Sequence, residues 1–192
     1  MTYYTEFELR RSAGLTASAA RMQLKEAARS ASGTFDVFLS HSVLDGDVIL
    51  GLKNLLETQR LRVYVDWIDD PELDRSRVSA ATADRIRRRM ASSRSLVYAT
   101  SRAASRSRWM PWELGYFDGT KGSDQISICP IEPGSSSHIA FVGEEYLGLY
   151  KTLEKVTWDG VTRPSAVQPS RRQAQLATSF AGGRGNYSAL TG

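Results

Sequence analysis

The sequence contains very little cysteine and histidine, which excludes several kinds of site. Cys129 is the single cysteine in 192 residues, so no disulfide can form within the chain. Because it lies in the apolar run 126–131, we expect a buried small side chain rather than a nucleophile or a metal ligand. The two histidines, His41 and His138, are too few for a histidine-based zinc site, and we expect no metal. The lack of disulfides favours a reducing, cytoplasmic setting.

Common ligand-binding fingerprints and membrane segments are also missing. The sequence has neither GxGxxG nor GxxxxGK[ST], the glycine-rich patterns of dinucleotide and P-loop sites. It also lacks the GxSxG elbow that is typical of hydrolase triads. No apolar run approaches the roughly 20 residues that a membrane-spanning helix needs, and residues 1–10 have no apolar stretch of the signal-peptide kind. We therefore expect no membrane partner.

The excess of basic residues lies outside the central part of the chain. The formal net charge is +4 and the pI is about 9.3. Residues 160–192 contain four arginines and no acid, and residues 1–33 contain five basic and three acidic residues. The central residues 34–159 have 16 basic and 18 acidic side chains. Because nucleic-acid-binding proteins usually carry their positive charge on the folded domain, we expect no nucleic-acid partner.

Apolar runs alternate with helical patterns between residues 34 and 157. Strands are predicted at 35–40, 62–66, 95–100 and 126–131, with a fifth at 145–150, and helices at 48–59, 79–92 and 109–118. This alternation predicts an α/β domain with a parallel sheet that helices cover on both faces. Residues 1–33 are predicted to be a partly helical extension, with a helix near 17–30. Residues 158–192 are predicted to be a basic, poorly ordered tail.

Candidate ligand-binding residues follow the first two predicted strands. Ligands of parallel sheets bind beyond the carboxyl ends of the strands. The first strand leads into Ser40, His41 and Ser42, whose hydroxyls and imidazole suit a phosphate or a ribose. For any one of these residues a structural role is favoured, with Ser42 or Asp45 as the cap of the next helix, and the two roles can coexist. The second strand leads into Asp66 and Trp67 at the start of an acidic loop. We expect Trp67 to be exposed there, either as an anchor of the loop or as a lid or partner contact.

A third candidate segment begins the helix after the third strand. Pro111 is tolerated only in a first helical turn, so the helix is predicted to start near Trp109. Trp109 and Glu113 then share one face, with Trp112 beside the acid. An indole can stack on a cationic ring, and a carboxylate can bind ribose hydroxyls or stabilise developing positive charge. From these residues alone, a ligand site and an ordinary first-turn acid beside core tryptophans are equally supported.

Two arginine-rich segments have less specific interpretations. Arg85 and the run 87–89 lie on a predicted helix and favour a solvated face or a self-association surface. In the loop before Trp109, Arg106 or Arg108 is a candidate to bind a pyrophosphate.

Together these segments resemble the Toll/interleukin-1 receptor (TIR) domain in its bacterial, Thoeris-like form. Residues 35–42 are similar to the family's first box, residues 63–66 to its second strand, and residues 107–114 to the segment with the catalytic glutamate. The resemblance covers about residues 34–157. It implies a flavodoxin-like fold with a five-stranded parallel sheet. It also implies an enzyme that cleaves the nicotinamide–ribose bond of NAD⁺, used in anti-phage defence signalling.

The resemblance also implies a role for each candidate residue. Glu113 would be the catalytic carboxylate, which holds the nicotinamide ribose and stabilises an oxocarbenium-like transition state. The loop after the second strand, residues 66–77, corresponds to the family's BB loop and would approach the site from the same or a neighbouring subunit. The other members of the predicted substrate site are Ser40, His41, Ser42, Asp66, Trp67, Trp109 and Trp112.

The partners that the resemblance implies are few. NAD⁺ is expected as the substrate, with no further cofactor, and the product is linear, cyclic or conjugated ADP-ribose. TIR enzymes are usually activated by assembly, so a homo-oligomer is expected, together with a separate effector protein that reads the product. The alternatives are a non-catalytic module that assembles through the BB loop and the arginine-bearing helix, or a nucleotide sensor without turnover. The BB loop lacks a glycine after Pro71, which disfavours a contact of the animal-receptor type.

Overall fold

Strands and helices alternate along the chain in a computed structural model, which describes residues 2–14, 33–76, 78–134, 144–168 and 172–190. In chain order the elements are β1 (Tyr4–Thr5), α1 (6–14), β2 (Phe35–Ser40), α2 (Gly46–Glu57), β3 (Val63–Tyr64), α3 (Asp66–Asp69), α4 (Ala80–Ala91), β4 (Ser93–Thr100), α5 (Met110–Lys121), β5 (Ile126–Glu132), β6 (Lys151–Trp158), β7 (Val161–Gln168), β8 (Gln173–Leu176), α6 (Ala177–Ala181) and β9 (Ser188–Ala189). No helix in this described part of the chain is long and apolar enough to cross a bilayer.

Five parallel strands form the centre of the sheet, in the order β3-β2-β4-β5-β6. The strand order reverses at β2, because β3 lies on one side of it and β4 on the other. Such a reversal opens a crevice at the carboxyl edge, where ligands of this fold class bind. The predicted α/β fold with five parallel strands is confirmed. Four further strands, β1, β7, β8 and β9, extend the sheet beyond the prediction.

Helices cover both faces of the sheet, and alternating side chains of each strand feed the two cores. Val37 of β2 packs in the first core with α2, whereas Phe38 packs in the second core with α4 and α5. Tyr98 of β4 joins the second core and its neighbour Val97 the first. This alternation follows from the two-residue period of a strand. Because both cores consist of closely packed, buried apolar side chains, the helices on each face fix the position of the carboxyl edge of the sheet.

The N-terminal residues are part of the fold. Tyr4 in β1 pairs with Ile131 of β5, and α1 crosses α2 where Gly51 has no side chain. A Cβ atom added to Gly51 would lie 1.9 Å from the carbonyl oxygen of Leu9, so the two helices approach more closely than any side chain allows. The helix predicted near residues 17–30 lies outside the described residues.

Replacing Gly51 with alanine is expected to lower the free energy of unfolding by about 1–3 kcal/mol, because a methyl group cannot fit against the α1 backbone. Gly46 in the first turn of α2 is the matched control, since a Cβ atom there meets nothing within 4 Å. We expect Gly46→Ala to change stability by less than about 1 kcal/mol. Urea unfolding of the three proteins measures both effects, and equal midpoints would contradict the close contact.

The described C-terminal residues, 158–168 and 172–190, include three strands and a helix, which corrects the prediction of a poorly ordered tail over 158–192. β6 and β7 form an antiparallel hairpin that turns at Asp159 and Gly160, both at positive φ. The next two strands continue the ladder, and Phe180 of α6 is buried in the first core. An Asp-Gly pair is a strong signal for a two-residue hairpin turn, and here it outweighs the Gly- and Ser-rich composition.

The fifth strand was predicted in the wrong place. Residues 145–149 form a 3-10 helix, and the strand is β6, which begins at Lys151. The apolar residues of the 3-10 segment have a sequence pattern typical of a strand. In contrast, β6 contains Lys151, Glu154 and Lys155 and has a polar sequence. Pairing with β5 and β7 on both sides stabilises β6 despite that composition. A single helical turn, α3, also forms where a loop was predicted.

Candidate active site

Glu113 lies in the first turn of α5 at the carboxyl edge of the sheet and is completely buried. Pro111 occupies the first turn as predicted, and the Glu113 amide donates to the Trp109 carbonyl oxygen at 2.8 Å. Leu114 and Phe117 of the same helix pack in the second core. These contacts fix the helix start, and with it the position of the carboxylate.

Both carboxylate oxygens of Glu113 accept hydrogen bonds. The Ser40 hydroxyl, from the last residue of β2, donates to Oε2 at 2.6 Å. The Arg75 guanidinium donates through Nη2 to Oε1 at 2.5 Å. Ser40 is itself fully buried, so this hydroxyl is held in one orientation toward the acid. The predicted association of the first box with the glutamate segment is therefore present in the structure.

Arg75 is the site residue that sequence reasoning missed. Its side chain is buried and donates to Asp66 Oδ2 at 2.6 Å as well as to Glu113. Burial by itself lowers the pKa of Arg75, but the negative charges of Glu113 and Asp66 raise it above its ordinary value. The guanidinium therefore remains charged between the two acids. Asp66 after β3 and Glu113 at the start of α5 are two acids buried at one edge of the sheet. Such a pair requires a cation, and that requirement was the available signal.

His41 and Asp66 form the other half of the cluster. His41 Nε2 lies 3.3 Å from Asp66 Oδ1, and Nδ1 lies 2.8 Å from the Leu39 carbonyl oxygen. Burial by itself raises the pKa of Asp66, but His41 and then Arg75 outweigh that effect and hold the pKa well below its usual range. The Trp67 amide also donates to Asp66 at 2.8 Å. Asp66 is therefore an ionised carboxylate that links the two strand ends.

The low pKa of Asp66 predicts a pH-dependent contribution to stability. The contribution is present above the unfolded-state pKa, near 3.8, and is lost as the pH falls through the lower folded-state value. We expect the free energy of unfolding of the wild type to fall more steeply below about pH 4 than that of Asp66→Asn. Asp47→Asn, at an exposed carboxylate, is the control and should follow the wild type. Parallel acid profiles for the wild type and Asp66→Asn would contradict the assignment.

The remaining predicted site residues are Trp109, Ser42, Trp67 and Trp112, and each has a different environment. Trp109 is buried, and its indole donates to the Arg75 carbonyl oxygen at 2.9 Å, so it fixes the BB loop. Ser42 caps the turn after β2 by accepting from the Leu44 amide, which is the capping alternative. Trp67 is exposed, as predicted. Trp112 packs against Trp109, Tyr116 and Arg87, and so belongs to the packing of α4 on α5 rather than to the carboxylate cluster.

The arginines of α4 are not simply a solvated face. Arg85 and Arg89 both donate to Asp70 in the BB loop, and Arg85 also donates to Glu72. Arg87 lies over the Trp112 ring at 5.3 Å. α4 therefore holds the BB loop against the domain. Arg106 and Arg108 are exposed near the start of α5.

The described residues offer no group of three or more histidine, cysteine, aspartate or glutamate side chains that could hold a metal ion. Cys129 is completely buried in β5, and burial raises the pKa of its thiol far above the ordinary value. The thiol therefore stays protonated, and Cys129 is a buried core side chain, as predicted. The site provides the Glu113 carboxylate, the Ser40 hydroxyl that donates to it and the ionised carboxylate of Asp66. Such a set binds sugar hydroxyls and stabilises positive charge.

Comparison with known proteins gives two similar sequences, and no family model matches the chain. The chain is 52% identical over 123 residues to a protein of Bacillus cereus (strain MSX-D12) named as a probable 3′ cyclic ADP-D-ribose synthase, ThsB′. That match covers 64% of this chain and 62% of the relative. A protein of Cytobacillus dafuensis, provisionally named cyclic ADP-D-ribose synthase TIR2, is 31% identical over 83 residues, which cover 43% of this chain and 22% of the relative. The chain thus spans less than two thirds of either relative.

Proposed function

We propose that this chain, as a relative of the Thoeris-type bacterial TIR proteins, cleaves the nicotinamide–ribose bond of NAD⁺ and forms a cyclic ADP-ribose. The observation that carries the proposal is the buried carboxylate of Glu113, fixed by the Ser40 hydroxyl at the crevice of the sheet. The similarity to proteins named as cyclic ADP-D-ribose synthases supports a cyclic ADP-ribose product. The bond-breaking step of the reaction can be assigned to Glu113.

In the first step, the bond between the ribose C1′ and the nicotinamide nitrogen breaks. Its electron pair leaves with nicotinamide, which becomes neutral, and the ribose becomes an oxocarbenium ion. Because the leaving group departs from a cation, no strong general acid is needed. The Glu113 carboxylate stabilises the developing positive charge and binds the ribose hydroxyls, as carboxylates do in glycoside hydrolysis.

In the second step, a hydroxyl oxygen attacks C1′ and loses its proton to water. If the hydroxyl belongs to the other ribose of the same molecule, the product is a cyclic ADP-ribose. If water attacks instead, the product is linear ADP-ribose, which is heavier by one water molecule. Excluding water while the ribosyl cation exists therefore decides the product, and the burial of Ser40 and Glu113 favours that exclusion.

The proposal is tested by incubating the purified protein with NAD⁺. The protein is used once in dilute solution and once immobilised on beads, where its local concentration is high. Liquid chromatography measures free nicotinamide, and mass spectrometry distinguishes the cyclic product from the linear one. The expected result is nicotinamide release together with the cyclic mass. A folded protein that releases no nicotinamide under either condition would leave the non-catalytic interaction module as the better description.

We also propose that the product is a signal in anti-phage defence and that a separate effector protein binds it. Copies of the chain are proposed to assemble during activation. The support is the resemblance to bacterial TIR proteins. In bacteria that make this chain, the small-molecule fraction after phage infection is expected to contain the cyclic product. The same fraction from cells that make Glu113→Gln should lack it. A product level that infection does not change would argue against a defence role.

A further inference from the structure

The proposed catalytic carboxylate, Glu113, forms an ion pair with a cation of the same chain, Arg75. Glu113 has no solvent exposure, and its Oε1 lies 2.5 Å from Arg75 Nη2. The guanidinium is also buried, with a second contact to Asp66. NAD⁺ must bring its own cationic nicotinamide–ribose unit to Glu113, so the arrangement cannot bind the substrate productively.

We propose that Arg75 is an autoinhibitory pseudosubstrate, and that the BB loop must withdraw it before NAD⁺ reaches Glu113. This inference rests on the proposed function. A guanidinium is a planar cation, as is the nicotinamide ring that it excludes. Its positive charge also opposes the field that Glu113 would supply to an oxocarbenium ion, because two cations within a few ångströms in a dry site repel strongly.

The loop that carries Arg75 is held at several separate points. Next to the site, the Trp109 indole donates to the Arg75 carbonyl oxygen. Farther along the loop, Asp70 accepts from the Tyr64 hydroxyl and from Arg85 and Arg89 of α4. The Arg85–Glu72 pair is the most exposed of these contacts. Withdrawal of the loop would break these contacts together, and weakening any one of them should make it easier.

A purely structural role for Arg75 makes a different prediction. If the guanidinium only neutralised two buried acids, its removal would lower stability and enzyme activity together. If it blocks the site, its removal lowers stability but increases both substrate binding and turnover. Activity and ligand affinity that rise while the melting temperature falls are therefore the distinguishing result.

The test compares wild type, Arg75→Gln and Arg75→Lys in dilute solution. We expect Arg75→Gln to release nicotinamide about tenfold faster or more than wild type and to bind ADP-ribose correspondingly more tightly in calorimetry. Arg75→Lys keeps a cation beside Glu113 and should stay close to the wild-type rate. A folded Arg75→Gln protein with neither faster release nor tighter binding would overturn the proposal.

A second variant acts at a distance from the carboxylate, in case Arg75→Gln does not fold. Arg85→Ala removes the exposed link between the BB loop and α4, and we expect a smaller rise in dilute activity, about two- to fivefold. Arg88→Ala, at an exposed position of the same helix, is the control and should leave the rate unchanged. Equal rates for all three proteins would count against the autoinhibitory contact.

Failure of the proposed function can be distinguished from failure of this inference. If no variant releases nicotinamide even on beads, the enzyme assignment fails. The ADP-ribose affinities then still decide whether Arg75 closes the site. If wild type is already fully active when dilute and Arg75→Gln is no faster, the enzyme assignment stands and the autoinhibitory contact is overturned.

Discussion

Glu113→Gln is expected to reduce nicotinamide release from NAD⁺ by about 100-fold or more. The amide has nearly the same shape, and its oxygen can still accept the Ser40 hydrogen bond, although its NH2 group then replaces the oxygen that accepts from Arg75. What it loses is the negative charge that stabilises the ribosyl cation in the transition state. The rate is measured on the concentrated, immobilised protein, where the proposed assembly favours the active state.

Two controls separate this effect from a loss of structure. The melting temperature of Glu113→Gln shows whether the chain still folds, since Arg75 keeps its contact with Asp66. Glu6→Gln, at a surface ion pair of α1, should have the wild-type rate. A folded Glu113→Gln protein that releases nicotinamide as fast as wild type would remove Glu113 from the mechanism.

Asp70→Ala is expected to lower the free energy of unfolding by about 3 kcal/mol, the largest stability effect that we predict. Asp70 is buried and accepts from the Tyr64 hydroxyl, Arg85 and Arg89. Burial by itself raises its pKa, but Arg89 and Tyr64 outweigh that effect and lower it. Removing the carboxylate takes one buried acceptor away from each of these donors and leaves Arg85–Glu72 as an exposed link between the BB loop and α4.

Glu72→Ala is the matched control, because Glu72 binds the same Arg85 but is largely exposed. Its removal should cost no more than about 1 kcal/mol, as is usual for surface ion pairs. Thermal or urea unfolding of the two variants measures the difference. Similar destabilisation by both would mean that burial of Asp70 contributes little to fixing the loop.

The central sheet and most of the carboxylate cluster could be predicted because they depend on local patterns. Apolar runs mark the buried parallel strands, and the carboxyl ends of such strands meet at one edge. That rule brings Ser40, His41 and Asp66 together, and Pro111 then places the start of the helix that carries Glu113. Each of these inferences needs only short-range sequence information together with one topological rule.

The parts that could not be predicted depend on pairing between distant residues. Arg75 lies in a segment without any periodicity, and its partner Glu113 is 38 residues away. No spacing identifies such an ion pair. The polar strand β6 was missed because pairing with its neighbours, not its own composition, determines its conformation. The hairpin at Asp159 and Gly160 did carry a local signal, which the composition of the tail concealed.

Both ends of the described sheet are two residues long. β3 contains only Val63 and Tyr64, and β9 contains only Ser188 and Ala189. A strand of two residues offers another chain almost no free backbone groups to pair with, so it protects the protein against edge-to-edge aggregation. The proposed assembly of copies would therefore rely on side chains of loops and helices. Substitutions on those surfaces can then alter assembly without disturbing the hydrogen bonds of the sheet.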